Sequence, residues 1–128
     1  MKKTAINVDG APPAAGPYSH AVRAGDLVFT AGQVALDPGT KSMIPEKDIR
    51  AQTRRTLMNI QIVLEGAGTS LGNVVRTTVF LKDMNDFAEM NNVYGEFFTS
   101  NPPARSTVEV ARLPKDALVE IDCIAVAG

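Results

Sequence analysis

Leu118-Val119-Glu120-Ile121-Asp122-Cys123-Ile124-Ala125-Val126-Ala127 is the stretch that decides the fold class. It is rich in aliphatic and β-branched residues, so it reads as a strand. Successive side chains of a strand point to opposite faces. Val119, Ile121, Cys123 and Ala125 therefore share one face. Leu118, Ile124 and Val126 share the other, beside Glu120 and Asp122. Both faces are partly apolar, so both need cover.

The preceding segments supply one cover. Strand Arg105–Ala111 follows the stiff lead-in Pro102-Pro103. Before it, a helix is predicted from Asn85 to Thr99, with an inner stripe of Phe87, Met90, Asn91, Tyr94, Phe97 and Phe98, ended by Asn101-Pro102-Pro103. Val74–Leu81 is a further strand. An earlier helix is predicted to start near Pro45-Glu46, where proline and acidic side chains suit the first turn. Its apolar or small positions Ile49, Thr53, Leu57, Ile60, Leu64 and Ala67 step by three and four residues. Gly66 and Gly68 supply its stop. Leu27–Val34 is a strand, the Gly25-Asp26 turn makes Ser19–Arg23 its hairpin partner, and Asp37-Pro38-Gly39-Thr40 is another turn.

Strands, helix, strand, helix and two strands describe an α+β domain with one mixed sheet and two helices on one face. The second face is then left open. Burying three of its aliphatic side chains is worth roughly 5 kcal/mol at about 25 cal/mol per Å². The chain has no spare element for this, so identical subunits are expected to pack sheet against sheet in a closed ring or dimer.

The chain has 128 residues, enough for one domain with one core, and a net charge of -1. That balance gives no general attraction for nucleic acid. Cys123 is the only cysteine, which precludes an internal disulfide and a Cys-rich zinc site and suits a reducing compartment. The N-terminus has no apolar signal-peptide core, and no apolar run is long enough to span a membrane. A soluble cytoplasmic protein is expected. There is no Walker loop, no strand–GxGxxG–helix unit and no G-x-S-x-G serine. A single histidine, His20, lends no support to a histidine-rich metal site or a Ser-His-Asp triad, and surface placement is expected for it.

Arg105 and Glu120 are the leading candidates for chemistry. An arginine fork matches a carboxylate bidentately. A mid-strand glutamate, if partly buried, has a raised pKa and exchanges protons near neutrality. On neighbouring strands the two would seat a small carboxylic acid and steer a water. Each also has a plain reading, Arg105 as a solvated strand end and Glu120 as a solvent-facing residue beside Asp122. Asn91, on an apolar helix face, either braces a loop or holds a ligand. Tyr18, after Gly16-Pro17, either packs or presents a phenol to a pocket.

Taken together these residues resemble the Rid family, also called the YjgF family, of enamine/imine deaminases. The resemblance runs through Gly16-Pro17-Tyr18-Ser19, Phe29-Thr30-Ala31-Gly32-Gln33, Val79-Phe80-Leu81-Lys82-Asp83-Met84-Asn85-Asp86-Phe87, Asn91 with Tyr94, Pro103-Ala104-Arg105-Ser106, Val108-Glu109-Val110-Ala111-Arg112-Leu113-Pro114 and Glu120-Ile121. It covers nearly the whole chain. It implies a chorismate-mutase-like fold and a homotrimer with a barrel-like centre and clefts between subunits. The implied reaction is hydrolysis of 2-aminoacrylate, or its tautomer 2-iminopropanoate, to pyruvate and ammonia, without metal or cofactor. By the same resemblance Arg105 clamps the substrate carboxylate and Glu120 activates water. Tyr18 hydrogen-bonds substrate or water, and Gly32 lets backbone approach the ligand. Phe87 and Asn91 line the pocket from the neighbouring subunit. Many members carry a cysteine where this chain has Thr107, which still offers a hydroxyl and backbone groups to the pocket. Thiol chemistry is not carried over. The alternatives are a related deaminase of a larger substrate such as 2-aminomuconate, or a non-enzymatic or RNA-acting role.

Overall fold

The computed structural model describes all residues, Met1–Gly128. Six strands form one sheet: β1 (Lys3–Ile6), β2 (Ala21–Ala24), β3 (Leu27–Thr30), β4 (Val74–Leu81), β5 (Ala104–Glu109) and β6 (Val119–Val126), in the order β1-β2-β3-β6-β4-β5. All pairings are antiparallel except β4 with β5, which is parallel. Helices α1 (Ile49–Gly66) and α2 (Phe87–Phe97) complete a mixed-sheet α+β domain.

The last strand behaves as its sequence demands. Val119, Ile121, Cys123 and Ala125 are buried in the core with Leu57, Ile60, Val63 and Leu64 of α1. The alternate residues of β6 are only partly covered, and Val126 is exposed. Pairing continues this open face across the sheet: Leu27 opposes Val126, Phe29 opposes Ile124, and Phe80 opposes both Glu120 and Val108. Leu27, Phe29, Val108 and Val126 are each about 40% exposed, high for such side chains in one contiguous sheet.

Local chemistry sets the boundaries. Gly25 takes φ 59°, as the β2–β3 turn requires. The strand that follows ends at Thr30, short of the predicted Val34, and Gln33 makes only an isolated bridge to Ile121. Helix α1 starts at Ile49, later than expected, because Asp48 is its cap and accepts a hydrogen bond from the Arg50 N–H at 3.1 Å. A separate single turn, Met84–Asp86, precedes α2. Strand β1 was not anticipated. It is almost wholly exposed and lacks the alternation that marks a strand.

Two corrections bear on function. Strand β6 inserts between β3 and β4, so β5 and β6 are not neighbours. His20 is buried at 6% exposure rather than on the surface, and both ring nitrogens are hydrogen-bonded to backbone. Finally, neither helix is long and apolar enough to cross a membrane.

Candidate functional site

Glu120 lies on the open face, against the backbone of Gly32. A Cβ added at Gly32 would collide with the Glu120 carboxylate, so glycine is required for this approach. Tyr18, Pro12, Pro13 and Ala15 of the N-terminal arm wall a hollow of about 80 Å³ over these two residues, with Lys115 on the other side. The Tyr18 hydroxyl accepts a hydrogen bond from the Ala15 N–H at 3.1 Å, and its ring is half exposed. Burial raises the Glu120 pKa above its ordinary 4.5, and the nearby Asp122 charge raises it further.

Helix α1 holds the floor of this hollow from behind. Asn59 is fully buried and donates to the carbonyls of Val34 and Leu36 at 3.0 and 2.8 Å, fixing the segment after Gly32. Gln52 accepts from the Leu118 N–H at 2.9 Å, at the entry to β6. These amides sit among apolar helix positions. Asn59 also accepts from the Arg55 guanidinium, and Gln52 also donates to the nearby Glu46 carbonyl, but the bonds that fix this hollow reach distant backbone groups. A larger open groove of about 780 Å³ runs along Lys82 and Ala111–Asp116. Pro114 and Lys115 line both this groove and the Glu120 hollow. Lys115 and Asp116 both take φ 55°, a left-handed backbone that costs energy in non-glycine residues and concentrates at working surfaces.

Arg105 lies elsewhere. It pairs with Thr77 of β4, whose side chain is buried on the helix side of the sheet. Its guanidinium stands 4.7 Å from the ring centre of Tyr94 and 5.6 Å from that of Phe87, both on α2. Such cation–π contacts hold a guanidinium in place without neutralising it. The Tyr94 hydroxyl is hydrogen-bonded to Thr77 Oγ1 at 2.7 Å and its ring packs on Phe98, so the plate beneath Arg105 is itself fixed. Burial raises the Tyr94 pKa, opposed by the Thr77 bond and the Arg105 charge.

Asn91 shares the helix face of Phe87 and Tyr94, and Thr107 shares the strand face of Arg105. Asn91 Oδ1 and Thr107 Oγ1 are both buried without a hydrogen-bond partner. Unpaired buried polar atoms are uncommon in folded interiors, and the other two in the chain, Thr53 Oγ1 and Thr56 Oγ1, lie on α1. The sequence places Tyr94 on the inner stripe beside Asn91 but gives it no part in the site; its contact with Arg105 is seen only in the fold.

The candidate residues therefore fall into two groups. One gathers Glu120, Tyr18 and Gly32, the other Arg105, Phe87, Asn91 and Thr107. The expectation of neighbouring strands fails, since β4 separates β5 from β6 and the two charged groups face opposite sides. Neither takes part in an ion pair of the chain. Cys123 belongs to neither half. It faces the core, and burial pushes its thiol up to about 11.

Comparison with known proteins places the chain in a family and matches its fold. The family profile described as "Endoribonuclease L-PSP" matches residues 8–127. A 2-iminobutanoate/2-iminopropanoate deaminase of Salmonella typhimurium is 49% identical, over 98% of each chain. The crystal structure of YyfA from Yersinia pestis, described as of the conserved Rid protein family, superposes with a TM-score of 0.95 at 42% identity, covering 98% of this chain and 100% of that one. Escherichia coli TdcF, crystallised with bound serine, gives 0.91 at 42% identity, covering 98% and 99%.

Proposed function

The chain belongs to the endoribonuclease L-PSP family, that of the Rid or YjgF proteins, and from that premise we propose that it hydrolyses small 2-imino acids to 2-keto acids and ammonia. The reading deepens to a place: clefts between subunits of a homotrimer, where the Arg105 half-site of one chain closes on the Glu120 half-site of the next. The observation that carries it is a pair of unneutralised, partly buried charges on opposite sheet faces. Each charge is supported by its own fixed surroundings, and each lacks a partner. The exposed apolar side chains of the open face support assembly.

In the proposed cleft the Arg105 fork holds the substrate carboxylate by two charge-assisted hydrogen bonds. That restraint makes water addition nearly unimolecular. The substrate enters with its imine nitrogen already protonated, and Glu120, as carboxylate, takes a proton from the water as the water oxygen bonds to the imine carbon. The product of this step is a carbinolamine. Protonated Glu120 then delivers its proton to the nitrogen, the C–N bond breaks, and the hydroxyl proton is lost as the keto group forms. A raised Glu120 pKa suits both halves of the cycle. Tyr18 hydrogen-bonds the water or the substrate. The buried acceptors of Asn91 and Thr107 stand beside the clamp, where a donor N–H of the ligand would satisfy them after a small side-chain adjustment.

The family description names an endoribonuclease. A net charge of -1 provides little attraction for a polyanion. The same description makes an RNA assay the natural control, with steep salt dependence as the signature of phosphate contacts.

The test is a coupled assay. A serine dehydratase generates 2-aminoacrylate, and pyruvate appearance is followed. The wild type accelerates it, and Arg105→Ala lowers kcat/KM about 100-fold, as expected for a lost charge-assisted contact of about 3 kcal/mol. Wild-type acceleration retained in full by Arg105→Ala refutes the clamp.

A further inference from the structure

The arm between Val8 and Ser19 is held by surprisingly little. It contains Pro12, Pro13 and Pro17, which lack an N–H to donate. Its backbone–backbone hydrogen bonds, Ala11 N–H to the Val8 carbonyl and Tyr18 N–H to the Gly16 carbonyl, stay within the arm. So does the Ala15 bond to the Tyr18 hydroxyl. Its only hydrogen bonds to the body of the fold pass through the ring of His20.

That ring has one possible tautomer. The Val8 N–H can only donate, and it reaches Nδ1 at 2.9 Å, so Nδ1 accepts. The proton then sits on Nε2, which donates to the Pro12 carbonyl at 2.7 Å. The ring is neutral, buried, and bonded at both nitrogens to two points of the arm. Meanwhile the His20 carbonyl accepts from the Ala31 N–H at 2.9 Å, one residue before Gly32. A single residue thus ties the arm to the segment that carries the glycine beneath Glu120. The arm contributes Pro12, Pro13, Ala15 and Tyr18 to the wall of the hollow.

We propose that His20 is a positioning residue, a latch that holds the arm and Tyr18 at a fixed depth over the Glu120 hollow. It touches no ligand. It sets the wall against which the ligand is held. Apolar packing of Val8 and Ala11 and the burial of Pro12 anchor the start of the arm independently, so loss of the latch frees the largely exposed Pro13–Tyr18 end while the domain stays folded. Glutamine carries the matching groups, an amide oxygen for Val8 and an amide N–H for Pro12. Leucine offers neither.

The link to turnover rests on the proposed deaminase reading, so the experiment has two independent arms. The first needs no substrate. In the wild type, imidazole ¹⁵N shifts report the tautomer, and amide exchange at Val8 reports the latch. The Nε2–H form and a protected Val8 are expected. His20→Leu exchanges Val8 about tenfold faster or more, and His20→Gln restores protection. A wild-type Nδ1–H tautomer, or Val8 protection unchanged in His20→Leu, overturns the latch. The second arm is kinetic, with 2-aminoacrylate. KM rises about tenfold in His20→Leu with a smaller change in kcat, and His20→Gln recovers it. Faster Val8 exchange with unchanged KM overturns the coupling to the hollow. A wild type without deaminase activity removes the proposed reaction and leaves the latch to be judged by tautomer and exchange. Should His20→Leu not fold, the wild-type tautomer and the His20→Gln variant decide the latch.

Discussion

Arg105 and Glu120 stand on opposite faces of one sheet, with β4 between their strands. A three-carbon acid cannot touch both within a chain, because side chains on the two faces of a sheet point in opposite directions with the sheet between them. Each residue nevertheless has the surroundings of a working group. Arg105 rests on two aromatic rings, and Glu120 is pressed onto a glycine and desolvated. A second copy of the chain resolves the contradiction if its Glu120 hollow meets the first copy's Arg105 plate.

Tyr94 is the first test of that plate. Tyr94→Phe removes only the hydroxyl bond to Thr77, and the ring under Arg105 remains. Stability should fall by about 1 kcal/mol while kcat/KM changes less than about threefold. Tyr94→Leu removes the ring as well, and KM should rise about tenfold as the fork loses its support. Urea denaturation and the pyruvate assay measure the two effects separately. Equal kinetic loss in both variants would assign the effect to the hydroxyl instead.

Glu120→Gln separates chemistry from stability. The amide cannot exchange protons, so turnover should drop by about 100-fold or more with ligand affinity retained. Stability should move the other way. Burial raises the Glu120 pKa above 4.5 in the folded state, so folding favours the protonated form. Its stabilising effect is full below 4.5 and fades as pH rises through the folded pKa. Glutamine mimics the neutral form at every pH. Melting temperatures of the two proteins should therefore agree at low pH, and Glu120→Gln should melt higher at pH near 7. A lower melting temperature at neutral pH would mean that the carboxylate is stabilised by contacts the single chain lacks.

Gly32→Ala tests the close approach. A methyl group there overlaps the Glu120 carboxylate and the side chain must swing away. Activity should fall about 100-fold, and the melting temperature should change by only a few degrees, since the hollow is open to solvent on one side. Full activity would show that the Glu120 position is not critical.

Much of the fold could be read from particular residues. The alternation of β6 gave a sheet with one open face, Ile49 to Leu64 marked the buried stripe of α1, and Gly25-Asp26 marked a hairpin. The site was half legible. Residue types flagged Arg105 and Glu120, but their relative placement depends on sheet order. Consecutive strands usually lie side by side, and here the chain leaves β5 and crosses to the far side of β4. His20 was misplaced because its partners are backbone atoms of Val8 and Pro12, which leave no trace in side-chain patterning. Asn59 and Gln52 were passed over for the same reason.

Subunit mixing bears most directly on the shared cleft. Arg105→Ala and Glu120→Gln, each nearly inactive alone, are combined in equal amounts, unfolded together and refolded. If the two half-sites come from different chains, random assembly in a closed ring restores about one quarter of the clefts, and activity should recover to about that fraction of wild type. Recovery no greater than the sum of the two variants, with mixed oligomers verified by mass spectrometry, would contradict a site shared between chains.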